Sequence, residues 1–224
     1  MNIKLSIGFV VLFCIDYYLM YHNTITRNKK LTEKQRAHIL SIKASSTLFF
    51  LSMYFNYKLM NNDFDIMNYK NSLSRSDNFI VYLGVLNLMS YLITDSYIGY
   101  KKYHKYMCTL SGYPHHIIYV FVSMLSFKLG CESFYFLFMI EELPTMFLSS
   151  GNYNKSLRFD NVFGLTFFLT RIIYHGYLAW KMSSNFFFLV LGILTFSLHS
   201  YWFKNWFTKY FLKKYIHTEK EKDE

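Results

Sequence analysis

The sequence predicts an all-α protein, a multi-pass transmembrane helical bundle of about seven spans. Three observations lead there. Hydrophobic residues make up 53% of the chain and aromatic residues 21%, and they collect in long runs. Short polar links separate the runs, with Lys and Arg concentrated in alternate links. Almost every run also holds one or two ionisable residues. Each costs roughly 2.5–3.5 kcal/mol at the centre of a spanning helix, so such residues face a bundle interior where they find partners. Here they are Lys43, Asp95, His115, His116, Glu141, Glu142, Arg171 and His199. They mark where a polar pathway or site can lie.

A spanning helix needs roughly 20 mostly apolar residues. The first span, 3–22, has one Lys, Lys4, ahead of its apolar run and ends in Tyr-Leu-Met-Tyr-His. It lacks a small-x-small cleavage site, so an uncleaved first span is expected rather than a signal peptide. The second, 38–59, carries Lys43, and the third, 78–98, carries Asp95. The fourth, 113–129, opens on Tyr113-Pro114-His115-His116. Pro114 falls in its first turn, where a missing N–H costs nothing. A very short turn at Gly130 leads to the fifth, 132–150, which holds Glu141, Glu142 and Pro144. Pro144 predicts a kink there. The sixth, 160–180, carries Arg171, and the seventh, 185–207, carries His199. These spans nearly exhaust the length and leave no room for a second globular domain. Residues 1–34 form the first span and its basic loop, 35–210 the main transmembrane domain, and 211–224 a charged tail expected to be disordered.

The net charge of +10 sits in the links. Asn23 to Ala37 holds Arg27, Lys29, Lys30, Lys34 and Arg36, and Tyr100 to Gly112 holds Lys101, Lys102 and Lys105. Gly151 to Phe159 holds Lys155 and Arg158, and the tail holds Lys209, Lys213, Lys214, Lys220 and Lys222. The positive-inside rule places these links and the C-terminus in the cytosol and the N-terminus in the lumen or exterior. Basic residues so placed serve orientation and anionic headgroups, and no nucleic-acid partner is expected. Cys14, Cys108 and Cys131 have neither CxxC pairing nor metal-ligand spacing, so no disulfide framework is expected. No metal or cofactor is expected.

Two adjacent histidines on a helix point about 100° apart. His115 and His116 therefore cannot ligate one metal in the i, i+4 manner. One can face the bundle and the other the headgroups. A neutral imidazole can act as general base or acyl acceptor, and the pair can equally be interfacial without chemistry. Asp95 lies near the same end of the preceding span. It can orient an imidazole or be solvated at the membrane edge. Adjacent Glu141 and Glu142 cannot both stay ionised cheaply in hydrocarbon. A Glu142–Arg171 pair would compensate both charges, and that role can be purely structural. Lys43, one turn inside its span, can snorkel or join a polar core. His199 lies deeper, where a core hydrogen bond is expected. There is no HExxH, no phosphate-binding glycine loop and no GxSxG elbow.

The order of motifs resembles a known family. It runs Ser41-x-Lys43-Ala44, Tyr91-Leu92-x-x-Asp95, His115-His116, Glu142-Leu143-Pro144-Thr145-x-Phe147-Leu148, Phe168-x-x-Arg171, then Trp202. This looks like the TLC-domain family, which includes ceramide synthases, translocating-chain-associated membrane proteins and small TLC-domain-containing proteins. The resemblance implies an endoplasmic-reticulum or related endomembrane bundle concerned with lipid. Its partner would be a sphingolipid, phospholipid or acyl-CoA. In the ceramide synthases a double histidine, followed by His-Asp and further acidic residues, carries acyl transfer to a sphingoid amine. His115-His116 matches the double histidine, but Ile117 to Glu141 contains no His-Asp. The Glu-Leu-Pro-Thr stretch is closer to the small members. The expected function is therefore lipid binding or handling that influences membrane composition. The first alternative is an acyl-CoA-dependent N-acyltransferase using His115, His116 and Asp95. The second is a secretory-cargo or translocation helper that binds partners through the region of Lys213-Lys214.

Overall fold

The computed structural model describes residues 3–184 and 186–212, and among them every regular element is helical. In chain order the α-helices are α1 (Ile3–Arg27), α2 (Glu33–Arg36), α3 (Ile39–Met60), α4 (Ile66–Ser72), α5 (Arg75–Lys102) and α6 (His104–Met107). Then follow α7 (Tyr113–Leu129), α8 (Glu132–Leu137), α9 (Glu142–Tyr153), α10 (Asp160–Phe167), α11 (His175–Lys181) and α12 (Phe186–Trp206). The chain divides into two units, Met1–Leu157 and Arg158–Glu224. The division falls inside the expected 35–210 domain. The tail beyond 212, with Lys213 and Lys214, lies outside the described residues.

Three helices are long and apolar enough to cross a membrane: α1, α5 and the continuous helix Asp160–Lys181. With a rise of about 1.5 Å per residue, each exceeds the ~30 Å hydrocarbon layer. The other expected spans fall on α3, on α7, on the α8–α9 segment and on α12.

The first unit is built around α3 and α5. α3 buries Leu40, Ala44, Leu48, Phe55 and Leu59 together with Ser41, Ser45, Ser52 and Asn56. A helix buried on most of its circumference, polar positions included, is the core of a bundle rather than an amphipathic surface helix. The buried polar groups bond locally, as when Ser45 Oγ donates to the Ser41 carbonyl at 2.6 Å. Asn56 reaches across to the Leu137 carbonyl at 3.1 Å, tying α3 to the end of α8. α1 is the reverse case. Tyr17 and Tyr21 face inward, while Ile3, Ile7, Val11, Leu12, Ile15 and Leu19 are exposed.

Close packing at the centre depends on one glycine. A Cβ on Gly84 of α5 would lie 2.3 Å from Phe136 Cε2, so the missing side chain is what admits the Phe136 ring. That ring also meets Phe55 of α3 edge-on, with centroids 5.4 Å apart. Local signals set the helix ends. Ser74 and Asp77 form a capping box at the start of α5, and Lys58 of α3 pairs with Asp77 at 2.6 Å. Gly130 ends α7 in the left-handed conformation, φ 63°, and its carbonyl accepts from Lys70 at 2.5 Å.

The fifth expected span differs from a simply kinked helix. It is α8, a 3₁₀ turn at Phe138–Glu141, and then α9. Pro144 sits in the first turn of α9, where the lost N–H has no helical partner to miss. The break therefore falls before the proline.

In the second unit, α10 runs through a π-helical stretch, Phe168–Tyr174, into α11. After a turn, α12 packs back along it. Phe167 stacks on Phe203 at 6.0 Å, and Trp206 closes over Gly164, where a Cβ would come within 1.9 Å.

Candidate functional site

Helical spacing assembles the most concentrated polar group of the first unit. On α5, Leu88, Leu92, Asp95 and Gly99 recur at offsets of three and four and are all buried. Asp95 is thus carried inward by the same stripe that packs the core. The chain leaves α5 at Tyr103, whose backbone is not helical, and this turn folds the fully buried Tyr103 ring back along the helix. Its hydroxyl donates to Asp95 Oδ1 at 2.5 Å.

His116 enters from the first turn of α7 and is buried. Its Nε2 lies 3.8 Å from Asp95 Oδ2, and its Nδ1 lies 3.0 Å from the Ser96 hydroxyl. One imidazole thus sits with its two ring nitrogens toward two successive residues of α5.

Aromatic rings extend the cluster toward α1 and α3. Tyr91 packs on His116 at 5.7 Å and on Tyr17 at 5.9 Å, and the Tyr17 hydroxyl donates to Asn87 at 3.1 Å. Lys43 lies over the Tyr17 ring at 4.8 Å and forms an ion pair with Asp16 of α1. Lys43 therefore meets a specific carboxylate, beside the polar core, rather than only reaching toward the surface.

The two histidines diverge as helical geometry requires. His115 is half-buried and packs on Tyr119 one turn later, with centroids 4.3 Å apart. Glu141 is buried at the end of the 3₁₀ turn, and Glu142 is half-buried at the start of α9. Arg171 lies in the π-helical stretch with its guanidinium 5.2 Å over Phe167. Glu142 and Arg171 belong to different units. His199 is buried in the second unit, its ring perpendicular to His175 at 4.9 Å. His175 in turn meets Thr195 Oγ1 at 3.0 Å.

Several participants were not among the residues singled out in the sequence. Ser96 and Tyr103 carry no motif of their own, and only the fold brings them to Asp95 and His116. Asp16 did carry a signal, as an acidic residue inside the first apolar run.

The first unit is therefore a helical bundle of membrane-crossing character with a buried carboxylate–imidazole–hydroxyl centre. No family model matches the chain, nor does any curated protein or any solved structure.

Proposed function

We propose that this chain is an integral membrane protein of TLC-domain type that binds or handles membrane lipid and so influences lipid composition. Its polar centre is the Asp95–His116 group. The reading takes about seven spans, with basic links and C-terminus in the cytosol, N-terminus in the lumen, and residence in the endoplasmic reticulum or a related endomembrane. The three apolar helices support the membrane part. One observation carries the site. Tyr91 and Asp95 from one motif of the resemblance, and His116 from the next, are neighbours in one cluster. A polar group buried among apolar helices can hold a lipid headgroup while the acyl chains follow the exposed apolar faces.

Native mass spectrometry of the purified protein in mild detergent tests this. Wild type is expected to retain a lipid, and Asp95→Asn is expected to lose it. A wild-type protein that retains no lipid under any mild condition would overturn the reading.

The second reading, acyl-CoA-dependent N-acylation of a sphingoid base, is favoured by the imidazole standing beside a carboxylate. Product formed from acyl-CoA and sphingoid base, and lost in His115→Ala or His116→Ala, would support it. No product from either acyl-CoA or base would remove it.

A further inference from the structure

We infer that Ser96 is a nucleophile that accepts an acyl group from a membrane-dissolved acyl ester or thioester, with His116 as its base and Asp95 and Tyr103 as positioning residues. The inference rests on the lipid-handling reading above and gives that site a reaction.

The geometry meets the requirements of an activated hydroxyl. The Ser96 oxygen lies 3.0 Å from His116 Nδ1, within reach for proton transfer. The other ring nitrogen faces Asp95 at 3.8 Å. This is longer than a hydrogen bond, as such contacts often are without substrate. The carboxylate is itself held by Tyr103 at 2.5 Å, so the base is oriented by a group that is in turn fixed. Asp95 faces the imidazole and Tyr103 holds Asp95, so both act through His116.

Access decides the substrate class. Ile93, Ser96, Tyr97 and Tyr100 are spaced i, i+3, i+4 and i+7, so they share one face of α5. Ile93, Tyr97 and Tyr100 are exposed, while Ser96 is half-buried among them. Asp95 points inward, and Ser96 opens at the edge of a largely aromatic face on which Lys101 Nζ donates to the Tyr97 hydroxyl at 2.6 Å. The hydroxyl is therefore placed where an acyl chain lying on that surface brings its carbonyl.

The step balances without any further reagent. The Ser96 oxygen forms a bond to the acyl carbon as its proton passes to His116 Nδ1. The tetrahedral intermediate then collapses, breaking the C–O or C–S bond of the donor, and the departing alcohol or thiol takes the proton from Nδ1. An acyl–Ser96 ester remains. Water, a hydroxyl or an amine then attacks that ester and gives its proton to Nδ1; the acyl carbon–Ser96 oxygen bond breaks, the proton returns to Ser96, and an acid, ester or amide is released. Nothing is oxidised or reduced.

The test uses the full chain, purified in mild detergent, and a lipophilic fluorophosphonate probe. Wild type is expected to gain one adduct, mapped by peptide mass spectrometry to Ser96. His116→Gln is expected to slow labelling by at least ~100-fold, as removal of a general base does. Ser96→Ala is expected to abolish it. Incubation with palmitoyl-CoA or with phospholipid vesicles separates the two acyl sources, by which one adds an acyl mass to Ser96. Folded wild type with no adduct, or an adduct at another residue, would overturn the inference, and this mapping needs no variant to fold. Lipid retained without any Ser96 adduct would leave the binding reading standing and remove only the nucleophile. A Ser96 adduct in a protein that retains no lipid would instead remove the binding reading.

Discussion

At the scale of single residues, Lys43 forms an ion pair with Asp16, an acidic residue of the long apolar helix α1. Each charge alone is costly among acyl chains, and together they offset much of that cost. Lys43→Met is expected to lower the thermal stability of the detergent-solubilised protein, and adding Asp16→Leu is expected to recover part of the loss. A double-mutant cycle should report a coupling of about 1 kcal/mol or more, and two additive penalties would exclude the pair.

At the scale of elements, small residues decide how closely the helices approach. Gly84 sits under a fully buried Phe136 ring that has no open side to move toward. Gly84→Ala is expected to destabilise by about 1–3 kcal/mol through overpacking. Combining it with Phe136→Leu should cost less than the sum of the two changes, and strict additivity would show that the ring does not rest on that glycine. Gly130 serves differently, since its left-handed backbone closes α7. Gly130→Ala is expected to cost about 1 kcal/mol, and Gly130→Asn less, because Asn tolerates that conformation. Equal melting temperatures for the two variants would contradict the role of this turn.

At the scale of the whole molecule, the proposed topology is odd-numbered and puts the termini on opposite sides. Glycosylation and protease-protection tags are expected to report a luminal N-terminus and a cytosolic C-terminus. Both tags on one side would break the seven-span reading while leaving each unit's packing as described. Helix positions were largely legible in the sequence because a run of about 20 apolar residues admits few alternatives. The fifth segment was legible only in part. Pro144 announced an interruption, but where the helix breaks depended on the packing of Phe136 and the 3₁₀ turn that follows it.

The amino-acid order alone determined the helical class, the approximate segments, the basic links and the divergent directions of His115 and His116, since these follow from local period and composition. It also brought Asp95 and His116 under suspicion, because ionisable groups in apolar runs are costly wherever they point. Only the tertiary structure decided that His116 is the partner of Asp95, that Tyr103 folds back on the carboxylate, and that Ser96 stands on the other ring nitrogen. Hydrogen bonds between helices depend on the rotation and depth of each helix. Those are set by how side chains such as Phe136 fit over Gly84, and no local pattern encodes them.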